Sequence, residues 1–208
     1  MDYPRIITHH EFCEAFQKAV EDWNQQGTSS AALGWRDLTK LMLGSGEEHK
    51  LQDFGIIGQA AKRISPAPTV TAEDYRVDQM WWYSWNPKKK EVEAHLDWHS
   101  LPWYCAVAIE HENCPDLRKF VYLLRKLFVI RAALKVCVVS FMGPAKPCEL
   151  LRPYTERGGE IMLSEVPDSG KAEYLVCFGI SRDGSLSKFT WSLIAWDSTQ
   201  KAWNPVKT

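Results

Sequence analysis

The 208-residue sequence lacks the features that mark several large classes of protein. No segment approaches the roughly 20 apolar residues that a membrane-spanning helix needs. The first residues, Met1 to Arg5, lack the apolar core of a signal peptide. The net charge is only −1, so the chain has no general attraction to nucleic acid, and such a role would need a local basic patch. These absences predict a cytoplasmic protein that makes no use of a membrane.

Paired cysteines and the common nucleotide-binding motifs are missing as well. The six cysteines include no CxxC pair, and Cys105, Cys137 and Cys177 lie in apolar, strand-like runs. Free thiols that pack as small hydrophobic side chains are therefore favoured over a zinc site or a disulfide framework. The sequence contains no phosphate-binding glycine loop, nucleophile elbow or dinucleotide fingerprint. A functional site must be sought among other polar residues.

The pattern that is present is typical of an α/β protein with a mixed sheet. Apolar residues first recur at helical spacing, beginning with the capping box of Thr8 and Glu11, and later in strand-like runs. The predicted elements are helices at 8–27, 35–42 and 45–64, strands at 75–85 and 103–112, a helix at 116–134, a strand at 136–141, a short helix at 149–154, and a hairpin of 174–181 with 189–196. Because a strand, a helix and another strand follow in order at 103–141, that strand pair should be parallel.

This order predicts a single domain over residues 1–208. Its parts would be a helical N-terminal part at 1–64, an α/β core at 70–142, and a C-terminal helix and hairpin extension at 143–208. No internal repeat or low-complexity segment interrupts the chain.

The most informative stretch is the end of the predicted strand at 103–112. Glu110 and Glu112 are two residues apart, so both carboxylates project from one face of the strand. Two like charges this close raise one pKa, and a divalent metal ion is the usual compensation. The alternative is a pair of acids that are simply solvated at a strand end.

A third carboxylate, Asp78, interrupts the other predicted strand. If the two strands pair antiparallel about residue 94, Asp78 lies opposite Glu110, with Cβ atoms about 4.5–5.5 Å apart. A competing register makes residues 91–98 an independent strand and moves Asp78 many residues away from Glu110. The first register is favoured because Pro87 and three lysines make a poor turn for a buried meander. Without a metal, Asp78 would instead pair with Arg76 or Lys119.

The sequence R-V-D-x-x-W around Asp78, a strand that ends E-x-E, a helix and a buried strand together resemble the PD-(D/E)XK, or restriction-endonuclease-like, nuclease superfamily over roughly residues 47–141. The resemblance implies a Mg²⁺-dependent or Mn²⁺-dependent nuclease in which Asp78 and Glu110 hold the metal. Glu112 stands where the family has a lysine that positions or activates the attacking water, so it would be a ligand or a water-orienting base.

The helix after Glu112 carries basic residues on the arc opposite its apolar stripe. The candidates for contacts with the phosphates of a nucleic acid are Arg118, Arg125 and Lys126. A basic face beside an acidic metal site suits such a substrate, because the charge of its phosphates must be neutralised. A solvated helix face explains the same pattern. Tyr122 belongs to this arc.

Two further groups of residues support rival interpretations. His95, Asp97 and His99 alternate along the chain and suit a zinc or manganese site of a different hydrolase, although a half-exposed strand shows the same alternation. A set of tryptophans would either stack on bases or pack in the core. These are Trp81, Trp82, Trp85, Trp98 and Trp103.

The favoured interpretation is a metal-dependent nuclease whose catalytic residues are Asp78, Glu110 and Glu112. The alternative is a protein of similar fold without catalysis, which acts as a protein-binding module. The partners expected are accordingly a nucleic acid, a protein, or a second copy of the chain in a homodimer.

Overall fold

The computed structural model describes residues 5–25, 35–44, 55–74, 77–84, 103–113, 117–142, 172–181, 190–197, 199–200 and 202–206. These residues form four helices and one sheet of seven strands. The helices are α1 (His9–Gln25), α2 (Trp35–Leu43), α3 (Gly55–Arg63) and α4 (Leu117–Val129). The strands are β1 (Thr69–Asp74), β2 (Val77–Ser84), β3 (Trp103–Glu112), β4 (Leu134–Met142), β5 (Glu173–Ser181), β6 (Thr190–Asp197) and β7 (Ala202–Pro205).

The sheet is mixed, and its spatial order follows the chain from β1 to β7. The central strands β3, β4 and β5 are parallel, whereas each remaining pair of neighbours is antiparallel. The predicted α/β class is confirmed, as are the antiparallel pair of β2 and β3, the parallel pair joined by α4, and the hairpin of β5 and β6. The hairpin extends the same sheet, because β5 is hydrogen-bonded along the whole of β4.

Helices cover both faces of the sheet. On one face, α1, α2 and α3 pack against the β3 side chains Val107 and Ile109. On the other, α4 packs against Ala108. Alternation along a strand therefore decides which helices each β3 residue meets. The residues after Ile109 inherit the same alternation, so Glu110 and Glu112 lie on the α4 face and His111 on the other.

The start of α1 forms as its sequence predicts. The Thr8 backbone N–H donates to Glu11 Oε2 over 3.2 Å, and the Glu11 N–H donates to Thr8 Oγ1 over 3.3 Å. This reciprocal capping box satisfies two of the free donors at the helix start. It orients Phe12 toward the sheet, where the Phe12 ring centroid lies 5.2 Å from that of the fully buried Trp81.

The approach of α3 to α2 depends on a glycine. Gly55 has φ = 59°, and a Cβ atom there would lie 2.4 Å from the Leu41 carbonyl oxygen. Only glycine tolerates both the left-handed backbone and this contact. The predicted third helix began at residue 45. Its described part begins at Gly55.

The sequence patterns did not predict the strands β1 and β7. Both are short, and the sequence at 69–74 contains two acids and an alanine, whereas β7 includes Pro205. The predicted helix at 149–154 lies outside the described residues. Among the helices that the structure describes, none is long and apolar enough to cross a bilayer.

Candidate functional site

The pairing of β2 with β3 brings the predicted carboxylates together. Gln79 lies opposite Ile109 and Met80 opposite Ala108. This register, continued by one residue, places Asp78 opposite Glu110. The competing register, which moves Asp78 far from Glu110, is therefore wrong. A bulge between Trp81 and Trp82 shifts the pairing by one residue farther along the ribbon, away from the acids.

Glu110 is the most buried acid of this group, with 1% of its side chain exposed. Its partner is Lys126 of α4, whose Nζ lies 2.7 Å from Oε1 and 2.8 Å from Oε2. The hydrogen bond goes to Oε2, and Oε1 has the ionic contact with the same ammonium group. The contact arises because α4 lies against this face of β3 and because a lysine stem is long enough to reach beneath its helix.

The contact with Lys126 does not hold the pKa of Glu110 at its ordinary value. Burial raises the pKa of Glu110 from 4.5 to about 7, although the hydrogen bond from Lys126 lowers it. The carboxylates of Asp78 and Glu112 raise it further. With its pKa near 7, Glu110 is about half protonated at neutral pH, and a bound cation would favour its ionised form.

Asp78 is fixed to the neighbouring strand by its backbone. Its Oδ2 atom accepts a hydrogen bond of 2.7 Å from the His111 backbone N–H. Since a carboxylate that accepts from a backbone amide is held more firmly than one in solvent, Asp78 is positioned at the end of β3 rather than left to rotate freely. It is only half-buried, so it remains accessible from solvent.

Glu112 lies one strand repeat beyond Glu110 and is half-buried. In the parallel pair, Glu110 is opposite Cys137 and Glu112 is opposite Val139 of β4. The pKa of the Cys137 thiol is raised well above its ordinary value, first by burial and then by the charges of Glu110, Asp78 and Glu112. The charges of all three predicted site acids thus reach the same buried thiol, on the face of the sheet that α4 covers.

The donor chemistry fits a hard divalent cation. Carboxylate oxygens are the protein ligands that Mg²⁺ and Mn²⁺ prefer, and among the described groups Oε1 of Glu110 has an ionic contact with Lys126 but no hydrogen bond. The side chains do not form a closed set of ligands. Among the described residues, no group of three or more histidine, cysteine, aspartate or glutamate side chains is placed to hold an ion.

The opposite face of the same strand ends carries neutral polar groups that sequence analysis missed. His111, Gln79 and Ser140 are buried there. Burial lowers the pKa of His111 to about 3, so the imidazole is neutral, and neither ring nitrogen has a hydrogen-bond partner among the described groups. Alternation along β3 could have revealed this position, because a residue between two acids on one face must point to the other face.

The predicted phosphate contacts take different positions. Arg125 is exposed on α4, whereas Lys126 contacts Glu110 and so belongs to the carboxylate site. Arg118 lies in α4, but its side chain is outside the described part of the structure. Arg131 follows the end of α4 and is exposed.

The tryptophans and histidines behind the rival interpretations are only partly described. Trp81 is buried against Phe12, which favours the packing interpretation for this residue. Trp82 is half-buried, and its Nε1 donates to Thr71 Oγ1 over 3.0 Å. The other predicted positions lie outside the residues whose side chains are described: Trp85, His95, Asp97, Trp98, His99 and Trp103.

Comparison with protein-family models and with curated proteins gave no match to this chain. The resemblance to the PD-(D/E)XK superfamily therefore stays a prediction from the motif and from the order of the strands and the helix around it.

Proposed function

We propose that the protein is a metal-dependent nuclease that hydrolyses the phosphodiester bonds of a nucleic acid in the cytoplasm. One observation carries this proposal: the buried Glu110 lies opposite Asp78 on the adjacent strand, and burial raises its pKa to about 7. The antiparallel strands, the helix and the parallel strand around these acids support the restriction-endonuclease-like fold that the sequence resembles.

The residues divide into three roles. Asp78 and Glu110 would hold Mg²⁺ or Mn²⁺, with Glu112 as a further ligand or as the group that orients water. The bound ion would supply Lewis-acid stabilisation of the phosphate and a lowered pKa of water. Lys126 supplies the positive charge that the family places at the position of Glu112. Its ammonium group, 2.7 Å from Glu110, is positioned to stabilise negative charge that develops on a phosphate in the site.

A pair of measurements tests the proposal. Mn²⁺ at millimolar concentration should raise the melting temperature of the wild type by mass action, and Asp78→Asn should remove most of that increase. Mg²⁺ or Mn²⁺ should also support cleavage of DNA or RNA by the wild type but not by Asp78→Asn, which is nearly isosteric. Asp22→Asn, on α1 across the sheet, is the matched control. The proposal would be rejected if Mn²⁺ left the melting temperature of the wild type unchanged and the wild type cleaved none of the substrates.

A non-catalytic protein-binding module is the second candidate, and one observation favours it. Lys126 already contacts both oxygens of Glu110, and the described acids do not close around an ion. In such a module the ion pair would be structural. Lys126→Met would then leave an uncompensated buried carboxylate and destabilise the fold, and added Mn²⁺ would not restore it. Restoration by Mn²⁺ would instead favour the metal site, because the ion would replace the lost charge.

A further inference from the structure

The outer face of α4 combines an exposed aromatic ring with positive charge beside the carboxylate site. Tyr122 is 62% exposed. Among the described residues, the other large hydrophobic side chains with comparable exposure are Ile6 and Val129. The ring of Tyr122 lies one helical turn before Lys126, whose Nζ is 6.0 Å from the ring centroid. Lys126 therefore lies between the ring and Glu110.

The charge of α4 differs from that of the whole chain. Residues 117–129 include Arg118, Lys119, Arg125 and Lys126 and contain no acid, whereas the protein as a whole has a net charge of −1. The sequence of α4 therefore carries local positive charge, which attracts a polyanion. An exposed ring among cations is the combination by which proteins stack bases while they neutralise the backbone.

The exposed ring and the buried carboxylate both lie close to the ammonium group of Lys126. The ring centroid is 6.0 Å from Nζ of Lys126, and the same Nζ is 2.7 Å from Oε1 of Glu110. A base stacked on Tyr122 would thus leave its sugar and phosphate beside the ammonium group and the carboxylates. In a duplex both faces of each base are already stacked, so only an unpaired base offers a face to an exposed ring.

We propose that Tyr122 is a stacking platform for an unpaired base and that the substrate of the carboxylate site is a single-stranded nucleic acid. The inference rests on the proposed nuclease function, and it adds the class of substrate to it. Tyr122 would determine specificity by binding the base next to the phosphate that the site holds.

Binding without cleavage tests this inference. Fluorescence anisotropy at low salt, with a chelator to prevent hydrolysis, would compare a labelled single-stranded oligonucleotide with its duplex, in DNA and in RNA. The wild type should bind the single strand more tightly. Tyr122→Leu should weaken single-strand binding by about 5-fold or more, the lower end expected for loss of one base–aromatic stack, and leave duplex binding unchanged. Tyr122→Phe should retain the wild-type affinity because it keeps the ring.

Val129→Ala, another exposed position of α4, is the control for a general effect of surface apolar area. Equal affinity of Tyr122→Leu and wild type for the single strand, or a parallel loss on single strand and duplex, would overturn the inference. So would binding of neither by the wild type. If Asp78→Asn abolished cleavage but Tyr122→Leu left it unchanged, the stacking platform alone would be rejected. Single-strand binding that requires Tyr122, without any cleavage, would support the platform and reject the nuclease.

Discussion

Replacement of Glu110 by glutamine removes a buried carboxylate whose charge Lys126 compensates only in part. The pKa of Glu110 is raised from 4.5 to about 7, mainly by burial, so folding favours its protonated form. At low pH the folded protein binds this proton, and the group adds stability relative to its ionised state. As the pH rises through about 7 the buried carboxylate must ionise, and the wild type loses that stability. Glutamine carries no such dependence.

The size of the effect follows from the two pKa values. Linkage between pKa values of 4.5 and about 7 predicts that the wild type loses about 2.5 kcal/mol of unfolding free energy from this group between pH 5 and pH 8. The stability of Glu110→Gln relative to the wild type should therefore increase by about that amount over the same interval. The loss of the ion pair with Lys126 changes the difference in unfolding free energy between the two proteins at every pH. The change of that difference with pH reports the titration of Glu110.

Urea denaturation at pH 5 and pH 8, followed by circular dichroism and with a chelator present, measures this difference. Glu21→Gln, at an exposed position of α1, removes one carboxylate from the surface and serves as the matched control. Parallel pH profiles for Glu110→Gln and the wild type would refute the reasoning. They would mean that Lys126 and solvent already compensate the carboxylate, and the electrostatic argument for a bound cation would be lost.

Two other substitutions test features away from the carboxylates. Burial lowers the pKa of His111 from 6.5 to about 3, so its contribution to stability is present above pH 6.5 and is lost as the pH falls toward 3. From pH 7 to pH 5, the unfolding free energy of the wild type should fall by about 2 kcal/mol relative to that of His111→Leu, as measured by urea denaturation. The same difference between the two proteins at both pH values would contradict a buried, neutral His111. Gly55→Ala should lower the unfolding free energy by more than about 1 kcal/mol because of its left-handed backbone and the contact with the Leu41 carbonyl; a melting temperature equal to that of the wild type would contradict this.

The sequence predicted the centre of the sheet because strong local patterns specify it. A one-residue slip between β2 and β3 would send their buried side chains to the wrong face. The position of Asp78 opposite Glu110 therefore followed from this patterning and from the poor turn that Pro87 and three lysines would make in a buried meander. The parallel pair of β3 and β4 followed from the helix between them. The edge strands escaped prediction because short strands that contain acids or proline do not produce a strong alternating pattern.

The parts of the site that were not predicted depend on tertiary packing. Lys126 was expected to contact substrate phosphates, since its place on a basic arc resembles a solvated helix face. How closely α4 approaches β3, and whether a lysine stem passes beneath the helix, are not determined by helical periodicity. The burial of His111 is similar, because it depends on the helices packed on the other face. The bulge at Trp81 and Trp82 adds one residue without an evident signal in the sequence.

That bulge divides the β2–β3 ribbon into two parts. On one side, the register that sets Asp78 opposite Glu110 is fixed by the buried pairs from Gln79 to Trp81. On the other, Ser84 pairs with Trp103 at the end where residues 85–102 connect the strands, roughly 20 Å along the ribbon from Asp78 at 3.3 Å per residue. Changes in the length or composition of that connection should therefore leave the geometry of the acids unaltered. The connection at residues 85–102 is therefore a place where a foreign loop could be inserted, or the chain shortened, without moving the acids.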